Sequence, residues 1–221
     1  GKVLTLKKDS LREKVEMQKN FIEELDNRGK QNIKDKENHI EKLLHEEMEL
    51  MRSNGIIEED IFSLTKEIEG LDTAKAKLRK LGDLKGKISN KVSTITKEHK
   101  FFTENTVCPT CGQGIEEDLR INRITDAQNK AKELQSGYKE LEDAINKEEE
   151  RERQFLLLSK EITSLTHGIS KNNTKVSGCQ RQIRDLESEI QRITDQLANR
   201  NIEDEKLESF KDNLRITYDE L

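Results

Sequence analysis

The chain has 221 residues, of which 31% are apolar, 4% aromatic and 38% charged, with no tryptophan. A globular domain carries roughly 45–50% apolar and about 25% charged residues, so a single thick core is excluded. One proline, Pro109, argues against the proline-enriched composition of disordered chains, and a net charge of -5 excludes a generally basic nucleic-acid binder while leaving room for local patches.

What remains is an all-α chain of long solvated helices with a narrow apolar seam. No stretch approaches the ~18 apolar residues of a membrane span, and no signal-peptide pattern is present. Three cysteines without a secretion signal point to a reducing, intracellular setting, where metal or structural roles come before disulfides.

Residues 1–104 read as an ascending arm. Ile57, Ile61, Leu64, Ile68 and Leu71 are spaced 4, 3, 4, 3, and a second run follows through Leu78, Leu81, Lys85, Ile88, Val92, Ile95, His99 and Phe102. The two runs do not share one heptad phase, so a stutter or stammer is expected between Leu71 and Leu78. Asp26-Asn27-Arg28-Gly29 and Ser53-Asn54-Gly55 hold poor helix formers, which makes 26–30 and 53–55 candidate breaks, the alternative being continuous helix. Residues 74–91 carry Lys75, Lys77, Arg79, Lys80, Lys85, Lys87 and Lys91 against Asp83 alone, a local +6. The plain reading is a solvated face with cross-helix ion pairs, each worth little. The functional reading is a strip that contacts DNA phosphates.

The centre, residues 105–114, differs. Asn105-Thr106-Val107-Cys108-Pro109-Thr110-Cys111-Gly112-Gln113-Gly114 contains the proline and two glycines in three residues, so no helix continues through it. Ile115-Glu116-Glu117-Asp118-Leu119 then restarts a helix with acids in its first turn, where the macrodipole favours them.

Residues 115–221 read as a descending arm. Stepping by 3 and 4 from Ile162 gives Leu165, Ile169, Asn172, Val176, Cys179, Ile183, Leu186, Ile190, Ile193 and Leu197. The pattern continues through Arg200, Asp204, Leu207, Lys211, Leu214 and Tyr218 to Leu221. Apolar heptads sustained this long, with charged flanks, are a coiled-coil signature. The run from Thr166 to Thr174, with Gly168, Asn172 and Asn173, is a third candidate break. The turn falls at the midpoint, with 107 residues before Cys108 and 110 after Cys111. A long antiparallel coiled-coil hairpin is therefore expected, residue i facing roughly residue 219 − i and each arm reaching on the order of 150 Å.

Chemistry concentrates in Cys108-Pro109-Thr110-Cys111-Gly112. Two thiolates separated by two residues can grip one tetrahedral zinc from a single turn, with Zn–S near ~2.3 Å. Pro109 stiffens the turn, Thr110 lies within it, and Gly112 can take positive φ, so that N–H groups approach the sulfurs. A closed structural site needs four ligands. Cys179 lies about 100 Å along a helix from Cys111 at ~1.5 Å per residue and occupies a seam position, so it reads as a small core residue. His99 lies about two and a half turns before Cys108 and also falls on the seam. The chain thus holds half a zinc site, and a second copy meeting it through a two-fold axis would complete a site of four cysteines around one shared Zn2+. A thioredoxin-type redox pair is the lesser alternative, because it needs a βαβ context.

A CPxC knuckle at the apex of a long antiparallel coiled coil resembles the zinc hook of the SbcC-type double-strand-break repair ATPases and their eukaryotic, archaeal and phage relatives. The resemblance rests on Cys108, Pro109 and Cys111, with Gly112 a common accompaniment. It implies a homodimer through the hook that tethers two ATPase heads and their DNA, in partnership with a nuclease subunit. It also implies residence in the cytoplasm or nucleoid, or in the host cytoplasm for a phage member. The chain departs from the family in having no G-x-x-x-x-G-K-[ST] phosphate loop; its nearest glycine–lysine pair lies in the heptad run between Gly82 and Lys87. This chain is therefore expected to be the arm of such a protein and not itself an enzyme, with DNA and nuclease contacts made by regions of the parent outside it. The rival expectation is a metal-independent coiled-coil arm that binds protein or nucleic acid along its length.

Overall fold

The computed structural model describes all 221 residues. It is all-α: α1 (Lys2–Ile68), a 3-10 turn (Leu71–Thr73), α2 (Ala74–Glu104), α3 (Glu117–Ala198) and α4 (Asn201–Asp219). The one β-type pairing is an isolated antiparallel bridge between Val107 and Gly114. No helix is long and apolar enough to cross a membrane. Contacts divide the chain into two compact units, one of Gly1–Ile57 with His167–Leu221 and the other of Glu58–Thr166.

In the first unit, the partners across the pair run in opposite directions. Gln18 Nε2 donates to Glu203 Oε2 at 2.6 Å, Lys36 pairs with Glu189 at 2.6 Å, and Gln180 Nε2 donates to Glu47 Oε1 at 2.7 Å. As one number rises the other falls, which is antiparallel packing. The core is thin, as the composition requires. Leu43, Cys179 and Ile183 are buried together, with Ile40 and Leu186 packed against them. Burying a side chain such as Leu43 is worth about 1.5–3 kcal/mol, so stability comes from many such layers along the seam.

One layer of that seam is polar. Asn54 Nδ2 donates to Asn173 Oδ1 at 2.9 Å, and Asn172 Nδ2 donates to Asn54 Oδ1 at 2.9 Å. Asn54 is buried. A polar group kept from water must find a partner, and amides that satisfy one another across a seam specify one register over its neighbours.

In the second unit, Arg151 donates to the Gly70 carbonyl at 2.7 Å, Lys85 Nζ lies 5.4 Å from the Tyr138 ring centre, and Arg123 pairs with Glu98 at 3.5 Å. These segments are antiparallel as well, and the turn of residues 105–116 joins them. Ala74, Ala127 and Leu141 are the buried apolar side chains here.

The three candidate breaks are absent, and the alternative of continuous helix holds. Helix runs unbroken through 26–30 and 53–55 within α1, and through 166–174 within α3. The weak helix formers at 53–55 and 172–173 are held by the asparagine layer. At 26–30, Gly29 allows the close approach of Leu197, whose Cδ2 would lie 2.7 Å from a Cβ at that position. Tertiary partners outweigh propensity differences of at most about 1 kcal/mol per residue.

The chain breaks elsewhere. α1 stops at Ile68, Gly70 takes φ 81°, and a 3-10 turn leads into α2. This interruption falls where the two heptad runs lose a common phase. A second break comes at Asn199–Arg200, across from Asp26, whose carboxylate pairs with Arg200 at 2.7 Å. Beyond it the inward positions become 203, 207, 210, 214 and 217, so that Thr217 is fully buried while Tyr218 is 51% exposed. The expected seam at Asp204, Lys211, Tyr218 and Leu221 is thereby corrected. The facing rule is corrected too: it puts residue 165 opposite Asn54, whereas Asn172 and Asn173 stand there.

Candidate metal-binding turn

α2 ends at Glu104 with Asn105 as its extended C-cap (φ -124°, ψ 122°), whose side-chain amide donates to the Phe101 carbonyl at 2.8 Å. The Asn105 backbone N–H donates to the same carbonyl at 3.1 Å, so both donors of the cap converge on the last turn. α3 begins at Glu117 with Glu117 and Asp118 in its first turn. Arg120 ties the two ends together. Its guanidinium donates to the Phe102 carbonyl at 3.2 Å and to Glu117 Oε1 at 2.8 Å. That partnership holds the Glu117 carboxyl below its usual range, through the hydrogen bond first and the charge second.

Between these ends the backbone folds into a small closed turn. The Ile115 amide donates to the Thr106 carbonyl at 2.9 Å, the Cys108 amide to the Gln113 carbonyl at 2.8 Å, and the Gly112 amide to the Cys108 carbonyl at 2.9 Å. Gly112 has φ 71°, a left-handed conformation that costs an L side chain roughly 1–2 kcal/mol and glycine nothing. Pro109 and Thr110 form the exposed corner. Proline suits it, because its fixed φ fits a turn and its missing N–H is not needed there.

This turn sets the chemistry of the sulfurs. The backbone amides of Cys111 and then Thr110 favour the ionised Cys108 sulfur, and the Cys111 side chain adds to them. Together they hold the Cys108 thiol below its ordinary range, against a smaller opposing effect of burial. Hydrogen bonds to the charged form favour the charged form, so the turn eases ionisation of Cys108. Cys108 is half-buried and Cys111 exposed, neither in a disulfide. No group of three or more His, Cys, Asp or Glu side chains converges anywhere in the chain, so His99 does not join the cysteines. Two sulfurs from one turn, one supported by backbone N–H donors, match the donor set of half a tetrahedral thiolate site.

Cys179 belongs to a different environment. It is buried against Leu43 and Ile183, and burial, with Glu46 and Glu47 nearby, pushes its thiol upward. It is a core side chain.

The basic residues of α2 are placed as follows. Lys75, Lys77, Arg79, Lys80, Lys87 and Lys91 are exposed, and Lys85 is half-buried beside Tyr138. No ion pair engages any of the seven; the pairs in the structure lie elsewhere. The expected cross-helix pairing of this face is absent.

Arg120 and Asn105 support the turn without a motif to announce them. The sequence signal for Arg120 is Glu117 three residues before it, a helical pairing distance. For Asn105 it is an Asn placed just past a helix end. No protein-family model, curated protein or solved structure matches the chain.

Proposed function

We propose that the chain is a zinc-linked homodimerisation and tethering arm. In this reading α1–α2 and α3–α4 are the two arms of a long antiparallel coiled-coil hairpin, with residues 105–114 at its apex. Two copies meet there and share one Zn2+ among the thiolates of Cys108 and Cys111 from each. Zinc, when bound, supplies a closed structural cross-link and no reaction. Pro109, Thr110 and Gly112 shape the turn, and Arg120 fixes its base. The observation that carries the reading is a turn, closed by the Cys108 and Gly112 amides and the left-handed Gly112, that offers two free sulfurs and gathers no third ligand. The resemblance to the zinc hook of double-strand-break repair ATPases extends it: ATPase heads, with the DNA they hold, and a nuclease partner would belong to regions outside these residues, in an intracellular complex.

Bound metal and mass together test this. Half a zinc per polypeptide and a dimeric mass by light scattering are expected. The mass should fall to monomer with a chelator, with Cys108→Ser plus Cys111→Ser, or on acidification, because protons compete for the thiolates. A mass unchanged by these treatments would mean that the helices hold the copies together, which is the metal-independent arm. One fully ligated ion per monomer would remove the shared site.

A further inference from the structure

We propose that one exposed face of α2, bearing Lys77, Lys80, Lys87 and Lys91, is a binding strip for the phosphate backbone of a nucleic-acid duplex. These four lysines are spaced 3, 7 and 4 apart. Spacings of three, four and seven return to the same side of a helix, so the ammonium groups form a stripe about 21 Å long at ~1.5 Å per residue. Leu84, 47% exposed, occupies the one uncharged position in that stripe. Lys75 and Arg79, exposed as well, lie on other sides of the helix. Lys85 is excluded, being half-buried with its ammonium group over Tyr138.

The charge on this face is uncompensated at contact distance. Within 74–91 the one acid is Asp83, three residues after Lys80 and four before Lys87 and so beside the stripe, yet it forms no ion pair with any of these lysines. The facing part of α3 carries Glu133, Glu140, Glu142 and Asp143 along with Lys130, Lys132 and Lys139, yet no carboxylate comes within ion-pair distance of the strip. Like charges three and four residues apart, such as Lys77 with Lys80 and Lys87 with Lys91, disfavour a helix. A polyanion laid along the stripe relieves that repulsion.

The side-chain types identify the anion. Protein–protein interfaces are depleted in lysine and anchored by aromatic residues, and this stripe is nearly all lysine with no aromatic side chain. Phosphate backbones are contacted by lysine and arginine at regular intervals. Single strands need exposed aromatic platforms on which bases stack. The ring that faces α2 here, Tyr138, lies under Lys85. A duplex, read through its backbone without sequence preference, fits what is present. The strip stands on α2 alone and does not depend on the shared-zinc reading.

The test is a salt-titrated binding assay of the full chain on a mixed-sequence DNA duplex. Binding should fall on the order of 100-fold between 50 and 200 mM salt, as about four neutralised phosphates require. Lys77, Lys80, Lys87 and Lys91 all changed to Gln should flatten the slope of log affinity against log salt by about 3–4. The same neutralisation at Lys19, Lys30, Lys34 and Lys42, exposed on α1, should leave the slope unchanged. Circular dichroism checks the helices of each variant, and light-scattering mass reads the hook separately. Equal losses in the two variants would reduce the effect to net charge and overturn the strip. So would an absence of duplex binding at 50 mM salt, or tighter binding to poly-glutamate or to single-stranded DNA than to the duplex.

Discussion

Gly29 and Gly55 lie in the same helix and the same compact unit, but their surroundings predict opposite responses to one methyl group. Glycine in a helix interior costs about 1 kcal/mol relative to alanine. A Cβ at Gly55 meets nothing within 4 Å, so Gly55→Ala should recover most of that and stabilise the unit by about 1 kcal/mol. For a unit of this size the transition should rise by about 4 °C. A Cβ at Gly29 would lie 2.7 and 2.8 Å from the two terminal carbons of Leu197 and 3.0 Å from its Cγ. Carbon atoms prefer about 3.5–4.0 Å. Leu197 must therefore leave its position, and overpacking of this kind costs about 1–3 kcal/mol. Gly29→Ala should thus be neutral to destabilising by about 2 kcal/mol, leaving the two substitutions about 1–3 kcal/mol apart. Urea unfolding followed by helical circular dichroism reads the difference directly. Equal stabilisation by both would show that the segments do not approach closely at Gly29, and would refute the packing assigned there.

Two further outcomes are expected. Asn54→Ala removes the two amide hydrogen bonds that Asn54 makes with Asn172 and Asn173, so it should cost about 2 kcal/mol at roughly 1 kcal/mol per bond; a loss below about 0.5 kcal/mol in the same urea assay would mean the layer is solvated. In metal-free reduced protein, iodoacetamide should alkylate Cys108 at lower pH than Cys179. The first thiol is lowered by the amides of Cys111 and Thr110, while the second is raised by burial, and only the thiolate reacts. The same sign governs metal: with its pKa depressed, Cys108 stays ionised further into acid, and zinc affinity is lost as pH falls through that lowered value. Peptide mapping that finds Cys179 modified first would contradict both environments.

Much of the candidate site is local, and so it was legible. The two cysteines, the proline between them and the glycine after them define a turn within five residues, and the left-handed φ of Gly112 is what its lack of a Cβ permits. The supports at Arg120 and Asn105 were not read from the chain, because an arginine that reaches a carbonyl 18 residues back looks like any surface arginine. The basic run of 74–91 was visible as charge. Which of its members share a free face, and that Lys85 turns to Tyr138, depended on the seam's phase and on the residues opposite.

The sequence by itself determined that the chain is helical, that its apolar side chains recur every three or four residues, and that helix cannot cross residues 105–114. Those outcomes follow from backbone geometry and from proline and glycine, which act on their own neighbours. Only the tertiary structure decided where the long helices break. Asn54 stays helical because Asn172 and Asn173 bond to it, while Gly70 and Asn199–Arg200 interrupt the helices and reset their phase. A weak helix former is held or released by what stands across from it, and for Asn54 that partner lies more than a hundred residues away in the chain.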